Sequence, residues 1–206
     1  GRKFYSPEGT GLYMSLLLRP QCLPSEATLI TTAAAVSVCD ALGEIGIDNA
    51  TIKWVNDVFI GGKKVCGILT ESGFSGNSLA LDYVVLGVGI NLFAPQNSFP
   101  DDIKNIAGAV FDKYEKNVKN AFVSAFLNSF FKFYNNLSSR VYISLYKAKC
   151  NVLGKDVDVF INGTSIPAQA IDIDENCNLI VKYENGEIAA LGSGEISVRC
   201  IGQLDQ

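Results

Sequence analysis

At 206 residues the chain is long enough for one sizeable domain, or for a domain with a small appendage. Its balance of 48% hydrophobic and 18% charged residues is that of a globular protein with a real core, and a net charge of −4 argues against phosphate-rich nucleic acid as the main partner. The absence of any histidine excludes Ser-His-Asp and Cys-His catalysis and every His-based metal site, leaving lysine, arginine, carboxylates and backbone dipoles to do the chemistry.

The chain starts at Gly1-Arg2-Lys3, two charges without a preceding methionine. Leu12, Met14, Leu16 and Leu18 alternate, so residues 10–19 predict a strand that Pro20 stops. Pro24-Ser25 then opens a helix to about Leu42, with Ser25 as N-cap, Gly43 or Gly46 near its end, and Ala33-Ala34-Ala35 suited to close packing on a sheet.

Residues 51–60 predict a strand, Gly61-Gly62 a turn and 63–71 the return strand of a hairpin. Period-2 alternation puts Ile52 and Trp54 on one face, Lys53 and Val55 on the other. A lysine there reads either as a snorkelling surface cation or as a charge aimed into a pocket that holds an anion. Asn56-Asp57 reads as a turn pair or as the groups that fix that pocket.

Polar residues 72–78 precede a nearly continuous apolar run, Leu79 to Phe93, which predicts a central strand buried on both faces. Gly87-Val88-Gly89 is not a dinucleotide fingerprint, because Leu92 stands where the third glycine belongs and no helix begins there. The glycines suggest instead a close backbone approach by another group. Val118, Ala121, Phe122, Ala125, Phe126, Ser129, Phe130 and Phe133 follow helical spacing over 118–136, a core stripe, and a short helix follows at about 139–149. From about Cys150 the texture turns to short alternating strands punctuated by Asn162-Gly163, Asn185-Gly186 and Gly192-Ser193-Gly194, a pattern for a small β-barrel. The six cysteines are scattered with no C-x-x-C pair, which predicts reduced, buried thiols and a cytoplasmic protein. No apolar run reaches the roughly 18–20 residues of a bilayer span, and no signal peptide is visible.

Several stretches together resemble the biotin protein ligases. Lys53-Trp54-Val55-Asn56-Asp57 is similar to that family's Lys-Trp-Pro-Asn-Asp word, with valine replacing proline, and Lys64-Val65-Cys66-Gly67-Ile68-Leu69-Thr70-Glu71 to its return strand. Gly1 to Pro7 with Gly11-Leu12-Tyr13-Met14-Ser15, then Val85 to Asn91, and finally Gly194-Glu195-Ile196-Ser197 match in order along the chain, with Phe4 where tryptophan is frequent. The resemblance implies an α+β fold: a mixed or antiparallel sheet flanked by helices, of the class II synthetase-like biotin/lipoate ligase type. Residues 1–149 would be the catalytic domain without its N-terminal part, and 150–206 an SH3-like β-barrel.

It also implies a two-step reaction, in which biotin and ATP form biotinyl-AMP and the biotinyl group then passes to a lysine of a carboxylase carrier protein. Lys53 would be the catalytic cation, bridging the biotin carboxylate and the α-phosphate. Lys53, Gly67, Ile68 and Gly87 would bind biotin. Arg2, Phe4, Asn56 and Asn91 would bind the nucleotide, with Asn91 on adenine. Asp57 would support Lys53, and Mg²⁺ would screen the departing pyrophosphate without a protein metal site. No membrane or nucleic-acid partner is expected, and a homodimer is one arrangement open to the chain. The rival readings are a lipoate-protein ligase with the same adenylate chemistry, a non-catalytic biotin-binding regulatory module, and a plain structural α/β domain.

Overall fold

The structure, a computed structural model, describes residues 5–20, 23, 26–73, 81–161, 163–192 and the backbone of 196–200. Arg2, Phe4, Ser25, Asn162 and Gly194-Glu195 therefore lie outside the described residues.

Alternating apolar residues build a first antiparallel sheet from β1 (Gly11–Leu18), β2 (Thr51–Lys53), β3 (Asp57–Ile60), β4 (Lys63–Gly73) and β5 (Tyr83–Asn91). Its strand order is β1-β5-β4-β3-β2. A second antiparallel sheet holds β6 (Asp156–Ile161), β7 (Thr164–Ile173), β8 (Leu179–Tyr183), β9 (Ile188–Leu191) and β10 (Ile196–Cys200), in the order β10-β6-β7-β8-β9. This is the α+β class expected, with a small β domain at the C-terminal end.

Helix α1 (Ala27–Glu44) lies between the first sheet and α2 (Val118–Tyr134), which is why its apolar residues run all round it. Ala33, Ala34, Ala35, Val36 and Val38 are wholly buried. By length and composition α1 is apolar enough to cross a membrane, yet 72% of it is buried inside the fold, where α2 and the sheet use that surface. It ends in a Schellman motif: Gly46, at φ +87°, donates to the Gly43 carbonyl and Ile47 to that of Leu42. On α2, Phe122, Phe126 and Phe130 stack with ring centroids 6.3 and 5.7 Å apart, fully buried, so the phenylalanine stripe is core. Each such side chain contributes about 1.5–3 kcal/mol by leaving water. Helix α3 (Tyr142–Lys149) follows a 3-10 turn at Leu137–Ser139.

Two expectations are corrected. The strand expected over 51–60 is broken, because residues 54–56 turn the chain and pair Lys53 with Asp57. Asn56 makes that turn with a reciprocal pair of bonds: its Nδ2 donates to the Ile68 carbonyl at 2.8 Å, and Ile68 N–H donates back to the Asn56 carbonyl at 3.0 Å. The Trp54–Val55 peptide bond within the turn is cis. At the next turn the Gly61-Gly62 expectation holds, both residues having positive φ as a two-residue hairpin of the primed type requires. The second correction concerns β5, which is buried on one face only. Val84, Leu86, Val88 and Ile90 face the helix layer, while Val85, Gly87 and Gly89 lie on the opposite, half-exposed face. Helices cover one side of the sheet among the described residues, and the other side is where the cleft lies.

Bonds made through turns and α3 connect the parts of the chain that hold the two sheets. Asn151 N–H donates to the Ile52 carbonyl at 2.8 Å, and Trp54 Nε1–H to the Cys177 carbonyl at 2.9 Å. Lys147 and Asp172 pair at 2.7 Å.

Candidate active site

Strand register sets out the uncovered face of the first sheet residue by residue. Tyr13 pairs with Gly89, Gly89 with Gly67, Gly67 with Asp57, and Asp57 with Lys53, so these five form one row across the sheet. In the adjacent row Ser15 pairs with Gly87 and Gly87 with Leu69. Residues paired in an antiparallel ladder share a face. The middle of this face therefore carries Gly67, Gly87 and Gly89, a floor of bare backbone. A Cβ placed on Gly87 would meet only the Leu69 carbonyl at 3.6 Å and its Cβ at 3.9 Å, so the fold does not require glycine there.

A cleft of about 660 Å³ stands over this floor. Its far wall is the loop after β5, through Phe99, Ile103, Ile106 and Ala107. The loop is stitched down at both sheet strands it crosses. Lys64 N–H donates to the Ile106 carbonyl at 2.7 Å and Gly108 N–H to the Lys64 carbonyl at 2.8 Å. Asn91 Nδ2 donates to the Gly108 carbonyl at 3.0 Å, and Val110 N–H to the Asn91 carbonyl at 2.9 Å. Outside the wall, the Lys63 ammonium donates to the carbonyls of Lys104 and Asn105 at 3.2 and 2.6 Å. A larger hollow of about 820 Å³ between α1 and α2 is lined by Asp40, Glu44, Asp48 and Lys132, with no comparable aromatic or aliphatic wall. A recess combining apolar walls with a few converging polar groups is the better site for a small organic ligand.

Among the described residues that line the cleft, the cation is Lys64. Its Nζ lies 2.6 Å from Asp57 Oδ1, with the two side chains 31% and 25% exposed. Strict alternation from Gly67 would send Lys64 to the helix side with Cys66. The register shifts between Val58 and Phe59, however, so that Phe59 pairs with Lys64 while Val58 pairs with Cys66. This β-bulge turns Lys64 to the face of Asp57. Partial burial strengthens the pair's mutual attraction several-fold over its value in water. Partial desolvation raises the Tyr13 phenol above its ordinary pKa at the cleft's β1 side.

Of the residues picked out by sequence, the cleft brings together Asn56, Asp57, Gly67, Ile68, Gly87 and Asn91. Lys53 is not among its lining residues: on β2 it sits beyond Asp57, at the end of the row away from the glycine floor. Arg2 and Phe4 lie outside the described residues. Sequence reasoning missed the orientation of Lys64, which depends on the bulge, and the wall at 99–107, which has no periodicity. Tyr13, Ser15 and Gly89 could have been found from the alternation of their strands. Among the described residues no cluster of three or more Cys, Asp or Glu could hold a metal, and Asp57 is the one acidic residue lining the cleft.

Residues 1–91 match the biotin/lipoate A/B protein ligase family, and residues 152–199 the biotin protein ligase C terminal domain. The bifunctional ligase/repressor BirA of Bacillus subtilis is 41% identical over 106 residues, 52% of this chain and 32% of that protein. That of Escherichia coli is 25% identical over 204 residues, 97% of this chain and 62% of its own length. The chain thus spans between about a third and under two thirds of these relatives. The biotin protein ligase of Aquifex aeolicus in complex with biotin and ATP superposes with a TM-score of 0.75 at 30% identity, over 97% of this chain and 82% of that one. Two matched domains in the family's order, together with a superposition that runs through both sheets, show that this chain belongs to the biotin protein ligase family.

Proposed function

We propose that the chain carries the adenylating centre of a biotin protein ligase, with Lys64 rather than Lys53 as its catalytic cation. The observation that carries this reading is the half-buried Lys64–Asp57 pair at the rim of a glycine-floored, apolar-walled cleft. Biotin's compact ring system suits a floor without side chains, with Gly67, Ile68 and Gly87 beneath it. Its carboxylate and the α-phosphate of ATP are both anionic, so a fixed positive charge between them favours the arrangement in which the bond forms. The carboxylate oxygen attacks the α-phosphorus, the bond to the β-phosphate oxygen breaks, and pyrophosphate leaves. An acceptor lysine amine then attacks the biotinyl carbonyl, and AMP departs. Asp57 holds Lys64 in place and stands within reach to take the proton the amine loses. Asn91 and Asn56 border the nucleotide side, with Arg2 and Phe4 contributing from the segment before Tyr5.

Mg²⁺ enters with ATP as the counter-ion of its phosphates. A cleft with one carboxylate among its described lining residues suits an ion held mainly by phosphate and water. The name of a Paracoccus denitrificans relative, 40% identical over 94 residues, is biotin--[acetyl-CoA-carboxylase] ligase, which supports a carboxylase carrier protein as acceptor. Residues 1–149 are assigned to the catalytic domain and 150–206 to the C-terminal one, in a cytoplasmic protein that works as a monomer or a homodimer.

The test is pyrophosphate exchange by the full-length protein with biotin or lipoate as the acid, followed by mass measurement of the bound product. Biotin-dependent exchange and a bound mass of biotinyl-AMP are expected. Exchange with lipoate alone would move the chain to the sister activity, and no exchange with either acid would leave a binding module.

A further inference from the structure

We infer that the second domain sets the geometry of the cleft through Trp54, making Trp54 a positioning residue and the turn at 174–178 a remote part of the active site. The turn 54–56 carries the chain directly into Asp57, and each of its residues is held by a different element. The Trp54 indole donates to the Cys177 carbonyl at 2.9 Å. The Val55 carbonyl accepts from Tyr146 Oη of α3 at 3.0 Å. Asn56 exchanges its two bonds with Ile68 of β4. Asp57 follows, 2.6 Å from Lys64. Along the chain the ion pair thus follows three consecutive residues that are each held by a hydrogen bond, the first of them from the other domain.

The acceptor of the Trp54 bond is itself a built feature. Cys177 has φ +61°, a conformation that residues with side chains rarely adopt. Asp174 holds it there, its carboxylate accepting from Asn176 N–H at 2.8 Å, Asn178 N–H at 2.9 Å and Asn178 Nδ2 at 2.9 Å. The Cys177 N–H donates to the Asp174 carbonyl at 3.1 Å, and its thiol accepts from Thr32 of α1 at 3.3 Å. The turn is thus locked to α1 on one side and aims its carbonyl at a tryptophan 5% exposed on the other. Trp54 is the chain's sole tryptophan.

The test compares Trp54→Phe, which keeps an aromatic ring but removes the donor, with Asp174→Ala, which loosens the turn from the second domain. Lys147→Ala is the control, since it breaks the Lys147–Asp172 pair at the same seam, and Lys147 makes none of the side-chain hydrogen bonds that hold residues 54–56. All are made in the full-length protein. The first readout is hydrogen exchange at the Ile68 amide, which donates to Asn56, with the amides of α2 as internal reference. The second is the split between kcat and KM for biotin-dependent pyrophosphate release, and this arm rests on the ligase reading. Trp54→Phe and Asp174→Ala should each speed Ile68 exchange about tenfold and lower kcat about tenfold, with KM for biotin changed much less, as expected when a reacting geometry shifts by a fraction of an ångström. Lys147→Ala should do neither. Ile68 exchange unchanged in both Trp54→Phe and Asp174→Ala overturns the inference, as does an equal effect from Lys147→Ala. Should Trp54→Phe not fold, Asp174→Ala decides alone. Faster exchange in a protein whose wild type releases no pyrophosphate with biotin keeps the coupling and rejects the ligase reading.

Discussion

Asp57 and Lys64 meet across the β3–β4 hairpin with Oδ1 and Nζ 2.6 Å apart, although their strands' simple alternation would place them on opposite faces. The bulge that unites them brings a cation of β4 to the cleft, and in the proposed reading that cation has the role. Lys64→Ala should therefore slow biotinyl-AMP formation by about 10²–10³, the usual loss for one preorganised electrostatic group. Lys53→Ala should leave it within a few-fold of wild type. Single-turnover pyrophosphate release compares the two, and the reverse order would return the role to Lys53.

The glycine floor can be raised without disturbing the fold. A Cβ at Gly87 makes only ordinary contacts with Leu69, so Gly87→Ala should melt within a few degrees of wild type. The same methyl group projects toward the ligand. Calorimetric titration should show biotin affinity reduced by about tenfold, near 1.4 kcal/mol. Undiminished affinity would place biotin elsewhere in the cleft.

Asn91 is 7% exposed and its amide already serves the Gly108 carbonyl, pinning the wall loop beside the proposed nucleotide side. Asn91→Ala should raise KM for ATP several-fold more than KM for biotin. Equal increases would mean that the residue acts on the cleft as a whole and has no specific place at adenine.

Alkali should destabilise the fold in a defined window. Burial pushes the Cys39 thiol up to about 12 and that of Cys177 up to about 11 from an ordinary value of 9.0, and it raises the Tyr142 and Tyr146 phenols as well. Each group is held protonated in the folded state above the pH at which the unfolded chain has released its proton. Their stabilisation is thus complete below the unfolded values and is lost as pH rises toward the folded ones. Urea midpoints should be flat from about pH 7 to 8.5 and fall steadily above about pH 9. A midpoint unchanged at about pH 10.5 would show that these groups titrate alike in both states.

The elements with a strong period were legible from the residues alone. Leu12, Met14, Leu16 and Leu18 marked β1, and the phenylalanine stripe marked α2. The Asn56-Asp57 turn and the glycine-bearing strands were legible as words, and their resemblance to the ligases located most of the cleft. What escaped depends on relations that a linear reading does not contain. A one-residue bulge reverses the face of Lys64. The wall from Phe99 to Ala107 owes its place to backbone bonds from β4 and β5. Trp54 finds its acceptor 123 residues away. The run through Val85, Gly87 and Gly89 read as doubly buried because its small and apolar residues suit a covered strand equally well.

A recess whose base is main chain offers natural variation very little to work with. Every replacement of glycine adds atoms, so mutation can only make the depression shallower and can never deepen or reshape it. New preferences among related acids would have to arise along the rim, in the 99–107 segment, where side chains are free to lengthen or shrink. The bottom of the pocket is in this sense a fixed gauge, and the loop above it is the adjustable jaw.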